Sequence, residues 1–148
     1  MYVLDTNVVS AFAPGKGEKP PPDPAVSEWV ERHADDLFLS AITALEIEAG
    51  LFSLGRRTPG RWHRDMCDWY AVLLEQFTER VLPVDLVVAR TAAAITDRNR
   101  AKGLATGIAD ILIAATALAN GKTLLTRNLR HFEGSGVAVV DPFQALPK

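Results

Sequence analysis

Three carboxylates and one amide stand where short apolar runs give way to polar residues. Asp5 directly follows the first run, Glu46 follows the second, Asp110 opens a very apolar stretch, and Asn128 follows a short run near the C-terminus. Carboxylates brought together repel one another unless one is protonated or a cation lies between them. Their oxygens suit Mg²⁺ or Mn²⁺, whereas three scattered histidines and one cysteine offer no zinc site. Since Mg²⁺ binds through one or two carboxylates plus substrate phosphate, this pattern predicts a phosphate-bearing substrate.

Each of these residues also has a purely structural interpretation. Asp5 is a suitable N-cap for a helix that begins at Thr6. The spacing Thr43-x-x-Glu46 matches a capping box, and Asn128 suits a turn. Asp110 is harder to explain in this way, because the helix that follows it is apolar enough to be largely buried and a lone buried carboxylate is costly. Asp110 therefore needs a partner or a metal.

The elements that would position these residues alternate along the chain. Apolar runs predict strands, and apolar positions at three- and four-residue spacing, with caps such as Asp85, predict the helices between them. Short strands that are apolar on both faces indicate a single α/β domain over residues 1–148, with a parallel sheet flanked by helices in an α/β/α sandwich. Ligands of such sheets collect at the carboxyl ends of the strands, where the four polar residues lie. The strands are expected at residues 2–4, 37–39, 81–84, 123–125 and 137–140.

Helices are expected in the intervals between these strands, together with one long loop. The first is short and begins at Thr6, and the second contains Trp29. Residues 14–24 hold five of the nine prolines and predict an extended loop, and Gly55–Gly60 predicts a turn. The remaining helices are expected at 43–51 with Thr43 as the cap, around 66–77, from Asp85 to near Gly103, and at 108–120 before Gly121.

The composition limits the class of protein and the cellular compartment in which it is expected. The chain has 148 residues, 48% hydrophobic and 23% charged, with 16 basic and 18 acidic side chains and a net charge of −2. These values exclude collagen-like and disordered chains. A single cysteine, Cys67, fits a reducing compartment. The N-terminus shows no signal peptide, and the longest apolar stretch, residues 108–119, is shorter than the ~20 residues needed to span a bilayer, so we expect a cytoplasmic protein with no membrane segment.

The order and spacing of four motifs resemble the PIN-domain ribonucleases, specifically the VapC-type toxins of type II toxin-antitoxin pairs. The resemblance covers essentially the whole chain, and the final Val139-Val140-Asp141-Pro142-Phe143 is similar to the closing strand and turn of that family. The four motifs are Leu4-Asp5-Thr6-Asn7, Ser40-Ala41-Ile42-Thr43-x-x-Glu46 with Gly50 four residues on, Asp110-x-x-Ile113-Ala114-Ala115-Thr116-Ala117, and Leu125-Thr126-Arg127-Asn128 followed by Arg130-His131-Phe132.

The resemblance implies a role for each matching residue. Asp5 and Asp110 would be the principal Mg²⁺ ligands, with Mn²⁺ as a substitute, and Glu46 would hold metal or orient the attacking water. Asn128 falls where some relatives have aspartate, so this chain departs from the fully acidic pattern. Thr6 and Thr126 would support the acids by hydrogen bonds. The implied activity is hydrolysis of RNA phosphodiester bonds by a metal-dependent endoribonuclease.

Basic residues supply candidate contacts to RNA. Arg56, Arg57, Arg61 and Arg64 place four positive charges within nine residues without an acid, and Arg127 lies in the fourth motif. Such side chains can bind RNA phosphates, although a solvated surface or a docking site for an acidic antitoxin tail are alternative interpretations. A second basic group comprises Arg98, Arg100 and Lys102.

The resemblance also implies partners: a VapB-like, DNA-binding antitoxin, a second copy of the chain in a homodimer, and a larger complex with the antitoxin. Two other functions stay open. One is an RNA-binding or antitoxin-binding PIN module weakened by Asn128. The other is a phosphatase of the haloacid dehalogenase type, whose second aspartate would fall on Asn7.

Overall fold

Five short apolar runs form the strands of one parallel sheet in the computed structural model, which describes residues 1–17 and 19–148. The strands are β1 (Tyr2–Leu4), β2 (Leu37–Ser40), β3 (Val81–Leu82), β4 (Thr123–Leu125) and β5 (Val139–Val140). Within the described residues the strand order is β3-β2-β1-β4-β5. All four neighbouring pairs are parallel, as predicted from strands that are apolar on both faces.

The register brings the carboxyl ends of the central strands level. Leu4, the last residue of β1, pairs with Leu39 of β2 and with Leu125 of β4. The next residues along the three strands, Asp5, Ser40 and Thr126, therefore lie at one edge of the sheet. This is the edge at which the sequence predicts that the polar residues meet.

Six α-helices among the described residues cover the two faces of the sheet. The helices are α1 (Thr6–Val9), α2 (Pro24–Arg32), α3 (Ala41–Arg57), α4 (Arg61–Gln76), α5 (Leu86–Ala101) and α6 (Ile108–Ala119). Alternate strand residues point to opposite faces of the sheet. Val3 and Leu124 pack in a core with α5 and α6, whereas Leu4 and Leu125 pack in a second core with α1 to α4. The α/β/α prediction is confirmed.

The start of α3 differs from the sequence expectation. The helix begins at Ala41, and its cap is Ser40, whose side chain accepts a hydrogen bond from the backbone N–H of Ile42. Thr43, the expected cap, is fully buried in the first turn and donates to the carbonyl oxygen of Leu4. The capping-box interpretation of Glu46 is therefore wrong, because a serine three residues before Thr43 caps the helix and leaves the Glu46 side chain free to point elsewhere.

The end of α3 also lies further along the chain than expected. The helix continues through Gly55 to Arg57, so the predicted turn at Gly55–Gly60 is reduced to residues 58–60. A Cβ atom at Gly55 would lie 2.7 Å from the ring of His63 in α4. Gly55 thus permits close packing of two helices, and the turn is made at Gly60, which has φ 149°.

Asp85 caps α5 as predicted, by accepting from the N–H of Val88. The third strand is shorter than the expected 81–84: β3 ends at Leu82, before Pro83, and lies at an edge of the sheet. The proline-rich segment is predicted as an extended loop over residues 14–24. Residues 14–17 and 19–23 form neither helix nor strand, residue 18 lies outside the described residues, and Pro24 begins α2. No helix in the described part of the chain is long and apolar enough to cross a membrane.

Candidate functional site

Asp5 lies at the centre of the carboxyl edge of the sheet. Its backbone N–H donates to the carbonyl oxygen of Leu125, which holds it between β1 and β4. Its side chain is buried and accepts three hydrogen bonds. Oδ1 accepts from the N–H of Thr6 at 2.7 Å, while Oδ2 accepts from Nδ2 of Asn7 at 2.9 Å and from Oγ1 of Thr126 at 2.7 Å. Asp5 therefore caps α1, and the same carboxylate is fixed from three directions.

Burial raises the pKa of Asp5 above its ordinary value. The hydrogen bonds from Thr126 and Thr6 oppose this rise, and the negative charges of Asp110 and Glu46 add to it. Asp110 and Glu46 therefore lie near enough to Asp5 for their charges to act on it, and the three acids together make this edge of the sheet negative.

Glu46 reaches this edge from the second turn of α3. Its Oε1 accepts a hydrogen bond from Oγ1 of Thr6 at 2.6 Å, and the same hydroxyl lies 3.5 Å from Oγ1 of Thr43. Thr6 thus contacts two acids, Asp5 through its backbone N–H and Glu46 through its side chain. The support that the sequence predicts from Thr6 is present in these contacts.

Asp110 lies in the first turn of α6, with 29% of its side chain exposed. Its Oδ2 is 3.0 Å from Nδ1 of His131, so a hydrogen-bond partner is present for the acid that the sequence left without one. His131 belongs to a 3-10 turn at Leu129–Phe132. From the sequence, His131 is only part of the fourth motif and is assigned no role. The apolar residue beside it, Phe132, is the sequence signal that this turn is held against the core, and Phe132 is buried.

Thr126 connects β4 to the segment that follows it. Its backbone N–H donates to the carbonyl oxygen of Val140, and its fully buried hydroxyl binds Asp5 and also accepts from the N–H of Asn128. Asn128 itself is exposed and precedes the 3-10 turn. In the described residues its hydrogen bonds to this network come from its backbone, so the metal-binding role of its side chain stays a prediction.

The predicted RNA-binding arginines lie in two parts of the chain, at the junction of α3 and α4 and directly after β4. Arg56 and Arg57 end α3, and Arg61 and Arg64 begin α4, all exposed. Arg127 is stacked on Phe143, with its guanidinium carbon 5.0 Å from the ring centre.

Two members of the second basic group differ in their contacts. Arg98 donates to the carbonyl oxygen of Ser135 and so has a structural partner. Arg100 is exposed at the end of α5 and lines a cleft with residues of the loop that precedes α6. Arg98 therefore has a role in the fold whether or not RNA is bound.

A groove of about 320 Å³ lies between α3 and α4. Thr6 and Glu46 are among the residues that line it. Its walls are mostly apolar, and Arg57 adds a positive charge. Trp62 and Trp69, which the sequence did not place in the site, line this groove while also packing on the protein, with the indole of Trp62 donating to the carbonyl oxygen of Pro14.

The donor set suits a hard divalent cation. Among residues 1–17 and 19–148 no three His, Cys, Asp or Glu side chains are grouped closely enough to hold one ion. Mg²⁺ does not require such a group, because it retains several waters and binds through one or two carboxylates. Asp5 and Asp110 supply two carboxylates, with Glu46 as a third acid, and a cation would offset the burial and the repulsion that raise the pKa of Asp5. The residues present fit such an ion.

Comparison with known proteins agrees with this fold. The PIN domain profile matches residues 2–134. The plasmid stability protein StbB of Pseudomonas syringae is 37% identical over 98% of this chain and 100% of its own length. The VapC ribonuclease Y4jK of Sinorhizobium fredii is 35% identical over 97% and 99%. The FitAcB structure from Neisseria gonorrhoeae has a chain that is 32% identical, with TM-score 0.81, over 97% of this chain and 99% of that one.

The profile match covers most of the chain, and two of these relatives are at least 35% identical over nearly their whole length. The chain belongs to the PIN-domain family, in the branch of the VapC and FitB proteins of toxin-antitoxin systems. This membership decides against the phosphatase alternative. Asn7, where such a phosphatase would need a second aspartate, instead donates to Asp5.

Proposed function

We propose that this protein is a Mg²⁺-dependent endoribonuclease and the toxin of a type II toxin-antitoxin pair, acting in the cytoplasm. The observation that carries the proposal is the buried Asp5 carboxylate, fixed by three hydrogen bonds and facing the charges of Asp110 and Glu46. An apolar residue would be less costly for the fold, since a buried carboxylate with two like charges nearby destabilises it. The relative Y4jK, which is named a ribonuclease, supports the reaction class.

In this proposal Asp5 and Asp110 hold the cation, for which Mn²⁺ can substitute. A bound ion of this kind lowers the pKa of water and offsets charge on a phosphate. Thr126, Thr6 and Asn7 keep the Asp5 carboxylate in one orientation through their hydrogen bonds. Asp5 is therefore prepared for binding in the free protein.

Glu46 orients the attacking water or contributes to cation binding, and Asn128 completes the site as a neutral oxygen donor. Thr6 donates to Oε1 of Glu46, which fixes one carboxylate oxygen and directs the other away from the hydroxyl. In the reaction one water adds to phosphorus and one P–O ester bond breaks, so the RNA backbone is hydrolysed without a covalent enzyme intermediate.

The arginines bind the RNA backbone on either side of the acids. Arg57 lines the same groove as Glu46, so an RNA strand whose phosphate contacts Arg57 would also pass the acids. Arg56, Arg61 and Arg64 extend the positive surface beyond it, and Arg127 follows β4. These contacts are to phosphate and carry affinity rather than sequence selectivity.

The proposed partners follow from related structures and from exposed apolar side chains. Related structures include FitAB bound to a DNA fragment and a DNA-bound VapBC of Salmonella typhimurium. We infer that a VapB-like, DNA-binding antitoxin restrains this chain in a larger complex. Phe52 is 74% exposed and Leu45 is 60% exposed on one side of α3, which supports burial against a second copy in a homodimer.

The test is RNA cleavage by the purified chain, freed from its antitoxin. Cleavage should require Mg²⁺ or Mn²⁺, stop in EDTA, and be lost in Asp5→Asn, with RNA binding retained. RNA that binds equally with and without EDTA and is never shortened would instead support a non-catalytic RNA-binding module. Absence of any bound metal together with unchanged toxicity of Asp5→Asn would contradict the proposal.

A further inference from the structure

The function proposed above assigns Asp110 to cation binding but gives no role to His131, which contacts it. Nδ1 of His131 lies 3.0 Å from Oδ2 of Asp110. Because an ionised carboxylate only accepts hydrogen bonds, the Nδ1 atom is the donor. The imidazole side chain is 57% exposed and the Asp110 side chain 29% exposed, so the contact lies at the open side of the site.

His131 is held in place by its own backbone and by its neighbour. Its N–H donates to the carbonyl oxygen of Asn128 at 3.0 Å, which closes the 3-10 turn. Phe132, the next residue, is buried and packs in the core formed with α5 and α6. The turn therefore has a fixed orientation although the imidazole is exposed.

A continuous chain of hydrogen bonds joins Asp5 to Asp110 through this turn. Thr126 donates to Asp5, the N–H of Asn128 donates to Thr126, and the N–H of His131 donates to the carbonyl of Asn128. The imidazole of His131 then donates to Asp110. The segment 126–131 thus contacts both carboxylates that would bind the cation, although one follows β1 and the other lies on α6.

Asp110 needs such a contact more than Asp5 does. Within the described residues the side chain of Asp5 accepts three hydrogen bonds and is almost completely buried, whereas the side chain of Asp110 accepts one, from His131. The charge of Asp5 repels Asp110, and a partly exposed aspartate can rotate away from such a charge. A donor bound to Oδ2 limits this rotation.

We propose that His131 is a positioning residue that orients the Asp110 carboxylate for cation binding. The inference rests on the proposed function, because it assigns His131 to the same site. Groups that hydrogen-bond to a metal-binding side chain from behind commonly change metal affinity by about 10–100-fold when they are removed. The same range is expected here.

The experiment is a Mn²⁺ titration of the full chain, followed by electron paramagnetic resonance of the free ion, with RNA cleavage measured in parallel. His131→Ala should weaken Mn²⁺ binding by about tenfold or more. Its cleavage rate should recover at saturating Mn²⁺, which separates positioning from a direct part in the reaction. The melting temperature should stay that of the wild type, since the imidazole is exposed.

Two further variants test the geometry of the contact. His131→Asn places an amide nitrogen near the position of Nδ1 and should restore most of the affinity, whereas His131→Gln places it near Nε2 and should not. His33→Ala, which removes an imidazole that follows α2 and contacts the carbonyl of Trp29, should bind Mn²⁺ like the wild type.

Wild-type Mn²⁺ affinity in His131→Ala would overturn the inference while leaving the proposed function standing. Equal affinities of the Asn and Gln variants would also overturn it, because the donor position would then not matter. Failure of the wild type itself to bind Mn²⁺ and cleave RNA would overturn the proposed function, and the inference with it.

Discussion

Thr126 donates its hydroxyl to Oδ2 of Asp5 over 2.7 Å, although the two residues are 121 positions apart in the chain. The contact is possible because β1 and β4 are parallel neighbours whose carboxyl ends are level. Both residues are buried, so the bond forms where water does not compete for it. The strand order therefore determines which residue can hold the central acid.

Replacing Thr126 tests the importance of this hydroxyl. Thr126→Val keeps the shape but leaves an oxygen of Asp5 and the N–H of Asn128 without this partner. A buried polar group without its partner costs about 1–3 kcal/mol, so the free energy of unfolding should fall by about that amount in urea titrations. Thr126→Ser, which keeps the hydroxyl, should lose clearly less. Equal losses in the two variants would indicate that packing of the methyl group matters more than the hydrogen bond.

The raised pKa of Asp5 predicts a pH-dependent stability in metal-free protein. Burial raises the pKa of this carboxyl above 3.8, so its contribution to stability is fully present below 3.8 and is lost as pH rises through the folded-state value. Asp5→Asn removes this titration. In EDTA, the free energy of unfolding of Asp5→Asn minus that of the wild type should increase as pH rises from acid toward neutral. A difference that does not change with pH would contradict this expectation.

Glu46 should affect the rate of cleavage more than the stability of the fold. Its carboxylate is partly exposed and accepts from Thr6, and Glu46→Gln keeps an oxygen for that bond. If Glu46 orients or deprotonates the attacking water, kcat at saturating Mg²⁺ should fall by about 10²–10⁴-fold. Glu75→Gln, on an exposed glutamate near the end of α4, is the control and should cleave RNA like the wild type. A rate that recovers at high Mg²⁺ would assign Glu46 to cation binding instead.

Much of this architecture follows from local sequence signals. The strands are short and apolar on both faces, which predicts a covered parallel sheet, and such a sheet brings Asp5 and its neighbours to one edge. Asp85 and Gly121 mark helix ends correctly, because caps and stops depend on a few adjacent residues.

The errors concern contacts between residues far apart in the chain. The capping pattern at Thr43 indicates a local partner for Glu46. Its side chain instead accepts a hydrogen bond from Thr6, which is 40 positions away in the chain. His131 contacts Asp110 across 21 positions. Gly55 resembled a turn residue because the close approach of His63 is visible only when α3 and α4 are packed together. Each case needs the tertiary structure to choose between two locally acceptable interpretations.

Arg57 should contribute to RNA binding through charge. Arg57→Gln removes one phosphate contact near the groove, so KM should rise while kcat stays the same. The slope of log K against log salt should decrease by about 0.7 for a single strand. Arg32→Gln, whose arginine forms an exposed ion pair with Glu28 on α2, is the control. A salt slope identical to that of the wild type would place Arg57 outside the RNA contact.

Two glycine positions should respond in opposite directions to alanine. A Cβ at Gly134 would overlap Oδ1 of Asn99, and this buried side chain cannot move freely because its Nδ2 donates to Thr106. Gly134→Ala should therefore lower the free energy of unfolding by about 1–3 kcal/mol, as overpacking does. Gly50 lies inside α3, and a methyl group there would meet no atom within 4 Å apart from the neighbouring backbone of its own helix, so Gly50→Ala should raise the free energy of unfolding by about 0.5–1 kcal/mol. Chemical unfolding of both variants beside the wild type measures the two changes, and a stabilised Gly134→Ala would show that the loop at 133–136 can shift away from α5.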